Sequence, residues 1–181
     1  MNFYTTDKLQ RFFDIFISLS AMLLLFPLLI LFWPFMRRPI VINQSRMGRD
    51  RKYFTMYKLR TMTEEKQPTQ FGNFLRLYAL DEIPQFWNVF KGDMSLVGPR
   101  PHLKSDHDQF LGDDPIRASV RPGLTGWAQV NGRNEIGWQE KIAFDRWYVE
   151  NRSLRLYFSI LWRTVIVLIG ETSTTREGYA T

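Results

Sequence analysis

Cysteine is absent from the chain, and histidine occurs only twice in 181 residues. Disulfide frameworks, thiolate metal sites and cysteine nucleophiles are thereby excluded, and two imidazoles are too few for a histidine-rich metal cage. Acids are in the minority, 18 Asp plus Glu against 24 Lys plus Arg, for a formal net charge of +6 and a pI near 9.7. That sign favours an anionic partner, whether phosphate ester, nucleic acid or acidic lipid, and says nothing about fold. Neither a Walker P-loop nor a GxGxxG opening a helix is present, so neither familiar nucleotide cradle is available. Any catalysis must rest on carboxylates, hydroxyls and cations. No internal repeat or low-complexity tract interrupts the chain, and 45% apolar content is enough to bury the core of one domain.

The apolar residues are unevenly placed, which the mean hydropathy of -0.25 conceals. From Ile15 to Met36 there are 22 consecutive positions without a charge. That meets the roughly 20 residues needed to enter a bilayer core. A cleavable signal is disfavoured, because the run ends in Trp33-Pro34-Phe35-Met36-Arg37-Arg38 rather than at a small-residue site. Lys8 and Arg11 precede the run and Arg37 and Arg38 follow it, so the positive-inside rule draws both ends to the cytoplasm. Pro27 removes a backbone donor in mid-segment, so a break or sharp kink is expected there. A re-entrant helix-break-helix satisfies both facts, and a spanning helix with a tolerated proline kink fits the pattern equally well. Near the other end, Leu154 to Ile169 is interrupted by Arg155 and Arg163 and is too short to span, which predicts an interfacial amphipathic helix.

Positions 37 to 60 hold eight basic residues against one acid, Asp50. Aromatic and apolar residues interleave with them in Tyr53-Phe54-Thr55-Met56-Tyr57-Lys58-Leu59-Arg60, as in a short strand or a juxtamembrane surface segment. Most of these cations suit anionic head groups; Lys58 and Arg60, two apart in a β-like run, could instead point together at a bound phosphate. Residues 63 to 70 form a polar, Pro-containing loop, and Phe71 to Leu80 is expected to be helical. Asp81-Glu82-Ile83-Pro84 follows, with Pro84 suited to the first turn of a new helix and the two acids at its positive dipole end. Capping alone would account for that acid pair. Its company favours chemistry: Arg76 lies one turn upstream, and Gly92 to Pro101 comes shortly after. In Pro99-Arg100-Pro101 two fixed φ angles hold one Arg in an extended backbone, which prepares its guanidinium fork for bidentate phosphate binding.

Arg121 to Arg133 is predicted as turn, short strand, turn, with Gly123, Gly126 and Asn131-Gly132 supplying positive φ angles and Gln129 and Arg133 left to reach a ligand. His102, Asp106, His107 and Asp108 resemble a metal cluster only superficially, since their spacing matches no helix-face histidine pair. Trp138, Ile142, Asp145 and Val149 fall on one helical row, so Asp145 sits on an otherwise apolar stripe and requires a cationic partner.

Taken together, Gln44 to Gly48, Tyr57 to Met62, Leu80 to Gln85, Gly92 to Pro101, Pro122 to Asn134 and Asp145 to Ser153, with the Pro-interrupted apolar helix, resemble the bacterial sugar transferases, the monotopic phosphoglycosyl transferases. The likeness is to their minimal catalytic domain. It departs at Leu77, Tyr78 and Ala79, where the family usually carries basic and small hydroxyl residues, at Phe26-Pro27 in place of Ser-Pro, and at Tyr157 and Ser159. The resemblance implies transfer of a phosphosugar from a UDP-sugar to polyprenyl phosphate with release of UMP. Asp81 is the implied nucleophile, forming an aspartyl-phosphosugar intermediate, and Glu82, with Asp81, the implied holder of Mg²⁺. Lys58, Arg60, Arg76, Arg100, Gln129, Arg133 and Asp145 are the implied substrate-side residues. The expected fold is α+β, mainly helical with a little β structure. Residues 1–38 are expected as a re-entrant membrane hairpin and 39–181 as a catalytic domain, together one folding unit. The expected place is the cytoplasmic face of the bacterial inner membrane, both termini cytoplasmic, with membrane lipid and not nucleic acid as partner. A basic membrane-anchored adaptor without chemistry is the competing reading from charge and apolar pattern alone.

Overall fold

The computed structural model describes residues 3–36, 38–103, 114–132 and 136–178, so Arg133, Asp106, His107 and Asp108 lie outside the described residues. Helix α1 spans Phe3–Phe32 and is followed by a 3₁₀ turn, Trp33–Phe35. Strands β1 (Val41–Met47) and β2 (Tyr53–Leu59) form an antiparallel hairpin, in which Ile42 faces Lys58 and Ser45 faces Thr55. Helix α2 (Gln70–Leu77), a 3₁₀ turn over Leu80–Glu82 and helix α3 (Gln85–Lys91) lead into β3 (Ser95–Val97). Then come α4 (Pro115–Ala118), β4 (Gly123–Thr125), α5 (Trp127–Asn131), α6 (Trp138–Glu150) and α7 (Leu154–Gly178). β3 and β4 pair in parallel, as a second two-stranded sheet. The architecture is α+β and mainly helical, as the sequence predicts.

Helix α1 runs unbroken through Pro27, so the expected division into two helices is not how this backbone is built. Proline forfeits one N–H and displaces one carbonyl, and the bonds on either side can continue the helix in apolar surroundings. One side of α1 is polar although the helix is apolar overall. Thr6, Gln10, Asp14 and Ser18, at spacings of four, are all buried. Asp14 Oδ1 accepts from Ser95 Oγ at 3.1 Å, from the Leu96 N–H at 2.9 Å and from the Tyr157 hydroxyl at 2.9 Å. Arg11 donates to the carbonyls of Val89 and Phe90 at the C-terminus of α3, where a cation suits the helix dipole. Asp7 pairs with Arg152 at 2.7 Å. The other side of α1 leaves Phe12, Phe16, Leu23, Leu24, Phe26 and Leu31 exposed. At its far end Phe32 packs edge-on against Phe71 of α2, with ring centroids 5.4 Å apart. Both ends of the apolar segment therefore rest on the same folded domain.

The core gathers Met56, Val89, Met94, Leu96, Val97, Val130, Tyr148, Tyr157 and Ile160 around the β3–β4 pair. Asn88, fully buried, ties α3 to the hairpin: its Oδ1 accepts the Tyr57 N–H at 3.1 Å and its Nδ2 donates to the Thr55 carbonyl at 2.7 Å. The glycines of the second sheet act by closeness rather than by positive φ, correcting the sequence expectation. A Cβ on Gly123 would stand 2.1 Å from the Gly98 nitrogen, and among the described residues Gly92 alone of the glycines is left-handed, at φ 99°. The expected second turn is helix α5, so Gln129 rides on a helix. α7 reaches Gly178, longer than the predicted apolar stretch, and leaves Phe158, Trp162, Ile166 and Ile169 exposed beside α1. Phe13 and Phe158 meet edge-on at 4.9 Å, so the two helices share one apolar surface, of the kind an interfacial helix presents.

Replacing Asp14 with Leu would leave the Ser95 hydroxyl, the Leu96 N–H and the Tyr157 hydroxyl unpaired. The expected loss is about 2–4 kcal/mol of stability. Asp14→Asn, which keeps one acceptor, should lose less. Thermal unfolding in lipid nanodiscs checks the order, and equal melting temperatures for Asp14→Leu and the parent chain would contradict it.

Candidate active site

The site forms where the chain leaves α2. Thr69 caps α2, its hydroxyl accepting the Gly72 N–H at 2.8 Å, and Arg76 in the last turn donates from Nε to Thr61 Oγ1 at 2.9 Å. Ala79 then adopts a left-handed conformation, φ 52°, costly for a residue with a Cβ. This sharp turn starts the 3₁₀ segment that holds Asp81 and Glu82. The acids stand just before the N-terminus of α3, as expected, in a 3₁₀ turn of their own, and Pro84 is the capping residue of that helix rather than part of its first turn.

Three parts of the chain meet at Glu82. Its Oε1 accepts Lys58 Nζ from β2 at 2.9 Å and Arg100 Nη2 from the Pro-Arg-Pro segment at 3.2 Å. Lys58 also lies 3.6 Å from Asp81 Oδ2. The two neighbouring carboxyls are driven apart electrostatically. Burial pushes the Asp81 carboxyl above the usual aspartate range, with Lys58 and Arg76 opposing and the Glu82 charge adding to the rise. Burial acts on Glu82 too, but Arg100 and Lys58 outweigh it and hold that carboxyl below its ordinary value. Glu82 is thus the fixed anion, while Asp81 is a carboxylate of raised basicity only 7% exposed.

Beside Arg100 opens a cleft of about 470 Å³, including its mouth, lined in part by Met47, Gly48, Arg51, His102 and Arg117. The His102 ring meets Trp138 edge-on at 5.0 Å. Burial and then the neighbouring cations Arg117, Arg100, Arg46 and Lys141 push its pKa down to about 2, so it lines the cleft as a neutral group. Among the described residues no three His, Cys, Asp or Glu side chains gather as a metal cage. The adjacent carboxylates of Asp81 and Glu82 do fit Mg²⁺, which takes one or two protein carboxylates and fills its remaining positions with water and phosphate oxygens.

Of the residues singled out in the sequence, Lys58, Arg76, Asp81, Glu82 and Arg100 come together. Arg60 does not join them: its guanidinium donates to the carbonyls of Arg38, at 2.9 Å, and Met62, at 3.2 Å, which fastens the end of the hairpin. Gln129 has both amide atoms buried without a protein partner, its Oε1 lying against Gly126. Asp145 is an interior group apart from the acid pair. Its carboxylate is 3% exposed and accepts Arg117 Nε at 2.7 Å, which supplies the cation its position requires. Two participants escaped the sequence reading. Arg117 belongs to an Asp114-Pro115 helix start whose capping pattern was visible. Asp14 ends the polar spacing 6, 10, 14 at the edge of the charge-free run.

The family model of bacterial sugar transferases matches residues 5–171. The uncharacterized sugar transferase EpsL of Bacillus subtilis strain 168 is 44% identical over 74% of this chain and 72% of its own length. The undecaprenyl-phosphate galactose phosphotransferase of Salmonella typhimurium is 34% identical over 89% of this chain, which spans 40% of that relative. The UDP-glucose:undecaprenyl-phosphate glucose-1-phosphate transferase of Escherichia coli K12 is 37% identical over 70% of this chain and 32% of its own length. The matched stretch takes in most of α1, the acid pair, the Pro-Arg-Pro segment and all of α6, and on that extent the chain belongs to the bacterial sugar transferase family.

Proposed function

We propose that the chain moves a sugar 1-phosphate from a UDP-sugar to undecaprenyl phosphate and releases UMP, with Asp81 as the nucleophile. The observation that carries this reading is the meeting of two adjacent buried carboxyls with cations from separate parts of the chain, Lys58 and Arg100 on Glu82 Oε1 and Lys58 3.6 Å from Asp81; the Asp81 carboxyl is displaced upward by burial and that of Glu82 downward by Arg100 and Lys58. Such a pair suits one basic, attacking carboxylate and one fixed anion. The names of the relatives support the substrates, two of them being undecaprenyl-phosphate sugar-phosphate transferases.

In the first half-reaction an Asp81 oxygen attacks the sugar-bearing phosphorus. The bond from that phosphorus to the bridging oxygen breaks, and its electron pair leaves with UMP. In the second, an oxygen of the lipid phosphate attacks the same phosphorus, the acyl oxygen departs, and the Asp81 carboxylate is restored. Arg76 and Arg100 suit the phosphate charges, and Lys58 favours the ionised form of Asp81. Asp81 and Glu82 would hold Mg²⁺, which when bound neutralises charge on the diphosphate.

The way α1 is held supports a reading of the membrane topology. Its polar side is docked as far as Ser18, and Phe32 and Phe35 lie against Phe71 of the same domain. Leu19 to Phe35 would extend only about 25 Å as a helix, short of a ~30 Å hydrocarbon core. This favours a re-entrant segment with both flanks on the cytoplasmic face, where a UDP-sugar and a lipid phosphate can meet. The adaptor reading accounts for the basic apolar surface and leaves the acid pair without a task.

Incubation with a UDP-sugar and Mg²⁺, without lipid, should release about one equivalent of UMP and add one phosphosugar to the intact mass, and Asp81→Asn should abolish both. UMP that appears only after lipid is added would favour direct transfer, and no UMP from any UDP-sugar would favour the adaptor. In the acid range, kcat/KM should fall through a pKa above that of an ordinary aspartate. Lys58→Gln removes a charge that favours ionised Asp81, so this limb should move to higher pH; a shift the other way contradicts the roles given to the two residues. For topology, Lys8→Cys and Lys52→Cys should both resist an impermeant thiol reagent in intact cells and react after permeabilisation, the chain having no cysteine of its own. Outside labelling of just one flank would indicate a spanning helix.

A further inference from the structure

We infer that Arg117, held by Asp145, is a positioning residue that fixes the backbone of Arg100 and so aims its guanidinium at the phosphates. The inference rests on the reading of Arg100 as a phosphate-binding residue.

Arg100 stands between two prolines, so its own N–H is the segment's one backbone donor and the carbonyls carry most of the tethering: that of Pro99 accepts the Gly123 N–H at 2.8 Å and that of Pro101 accepts Arg46 Nη1 at 3.4 Å. The Arg100 carbonyl accepts a short hydrogen bond from Arg117 Nη2. The same guanidinium donates from Nε to Asp145 Oδ2 at 2.7 Å, with the Arg117 side chain 12% and that of Asp145 3% exposed. One planar fork thus joins a buried acid on α6 to the backbone of the Pro-Arg-Pro segment. A lysine, with its donors on a single atom, cannot span both acceptors in the same way.

The base of the fork is itself constrained. Asp114 caps α4, accepting the N–H groups of Ile116 and Arg117 at 3.1 and 3.2 Å. Its other oxygen takes Arg146 Nε at 2.8 Å. Two acid–arginine pairs therefore cross between α4 and α6, using the neighbouring residues Asp145 and Arg146. Of the two, the Arg117–Asp145 pair goes on to bond the Arg100 carbonyl, while Asp114 of the other lines the cleft beside Arg100. At the far end, Arg100 donates to Glu82 and remains half-exposed, so its guanidinium can meet a ligand while its backbone stays put. Burying Arg117 with Asp145 brings little net stability, because desolvation offsets most of the attraction. Fixing one geometry is the better explanation for the pair.

The test uses the full chain in nanodiscs, with UMP release measured over a range of UDP-sugar concentrations. Arg117→Lys should lower kcat/KM on the order of 10- to 100-fold. In an Arg100→Ala background the same change should cost less than about 2-fold more, because its path runs through Arg100. Arg146→Met breaks the companion pair between the same helices, and should lower the melting temperature while leaving kcat/KM within about 2-fold. If Arg117→Lys does not fold, Asp145→Asn is read in both backgrounds by the same criterion. Equal losses with and without Arg100, or an Arg146→Met loss as large as that of Arg117→Lys, would make the pair a structural brace and overturn the inference. Those results presuppose UMP release by the parent chain; its absence would instead remove the proposed reaction, and the inference with it.

Discussion

A single carboxylate oxygen, Oε1 of Glu82, receives two cations from separate parts of the chain, Lys58 out of the hairpin and Arg100 out of the Pro-Arg-Pro segment. Burial would raise the pKa of this group if it were alone, and the two cations reverse that. Much of the site follows from this reversal. Glu82 stays charged, its charge adds to the basicity of Asp81 next to it, and Lys58 is held within 3.6 Å of the same Asp81. A chain segment without long secondary structure can keep such a geometry only if both cations are themselves anchored. Lys58 is anchored by strand pairing opposite Ile42, and Arg100 by the second sheet and by Arg117.

The second sheet is small, two strands of three residues each, and derives its rigidity from closeness. Gly98 and Gly123 let the backbones approach until no side-chain carbon fits between them. Asp14 holds the other side of the same strand by accepting from Ser95 and Leu96. The segment that carries Arg100 thus emerges from a strand gripped by α1 on one side and by a glycine contact on the other.

Local patterns were legible in the sequence where one stretch of chain determined the outcome. The β-like alternation placed Lys58 in a strand, and the acid on the apolar stripe of α6 announced that Asp145 needs a cation. Contacts between distant segments were not legible. Lys58 and Arg60 alternate alike, yet the hairpin closes with Arg60 on the Arg38 carbonyl, a partner that no local rule names. The cation for Asp145 lies 28 residues away on a four-residue helix. Glycine at 123 and 126 marked a special backbone, but steric approach and positive φ call for the same residue and only coordinates separate them. Pro27 marks the limit of a strong local rule: of the break or sharp kink it foretold, the break does not occur, because helical hydrogen bonding continues past the proline.

The docking of α1 also bears on the order in which the protein can be assembled. Its buried polar side satisfies groups that belong to the catalytic domain: the Leu96 N–H, the carbonyls closing α3, and the hydroxyls of Ser95 and Tyr157. A chain cut after this helix to obtain a water-soluble enzyme would expose those groups along with Ile160 and the rest of the core beneath them. One side of the long apolar helix is thus also part of the folded interior. The strand that leads into the Arg100 segment therefore has its full set of hydrogen-bond partners only when α1 lies beside it.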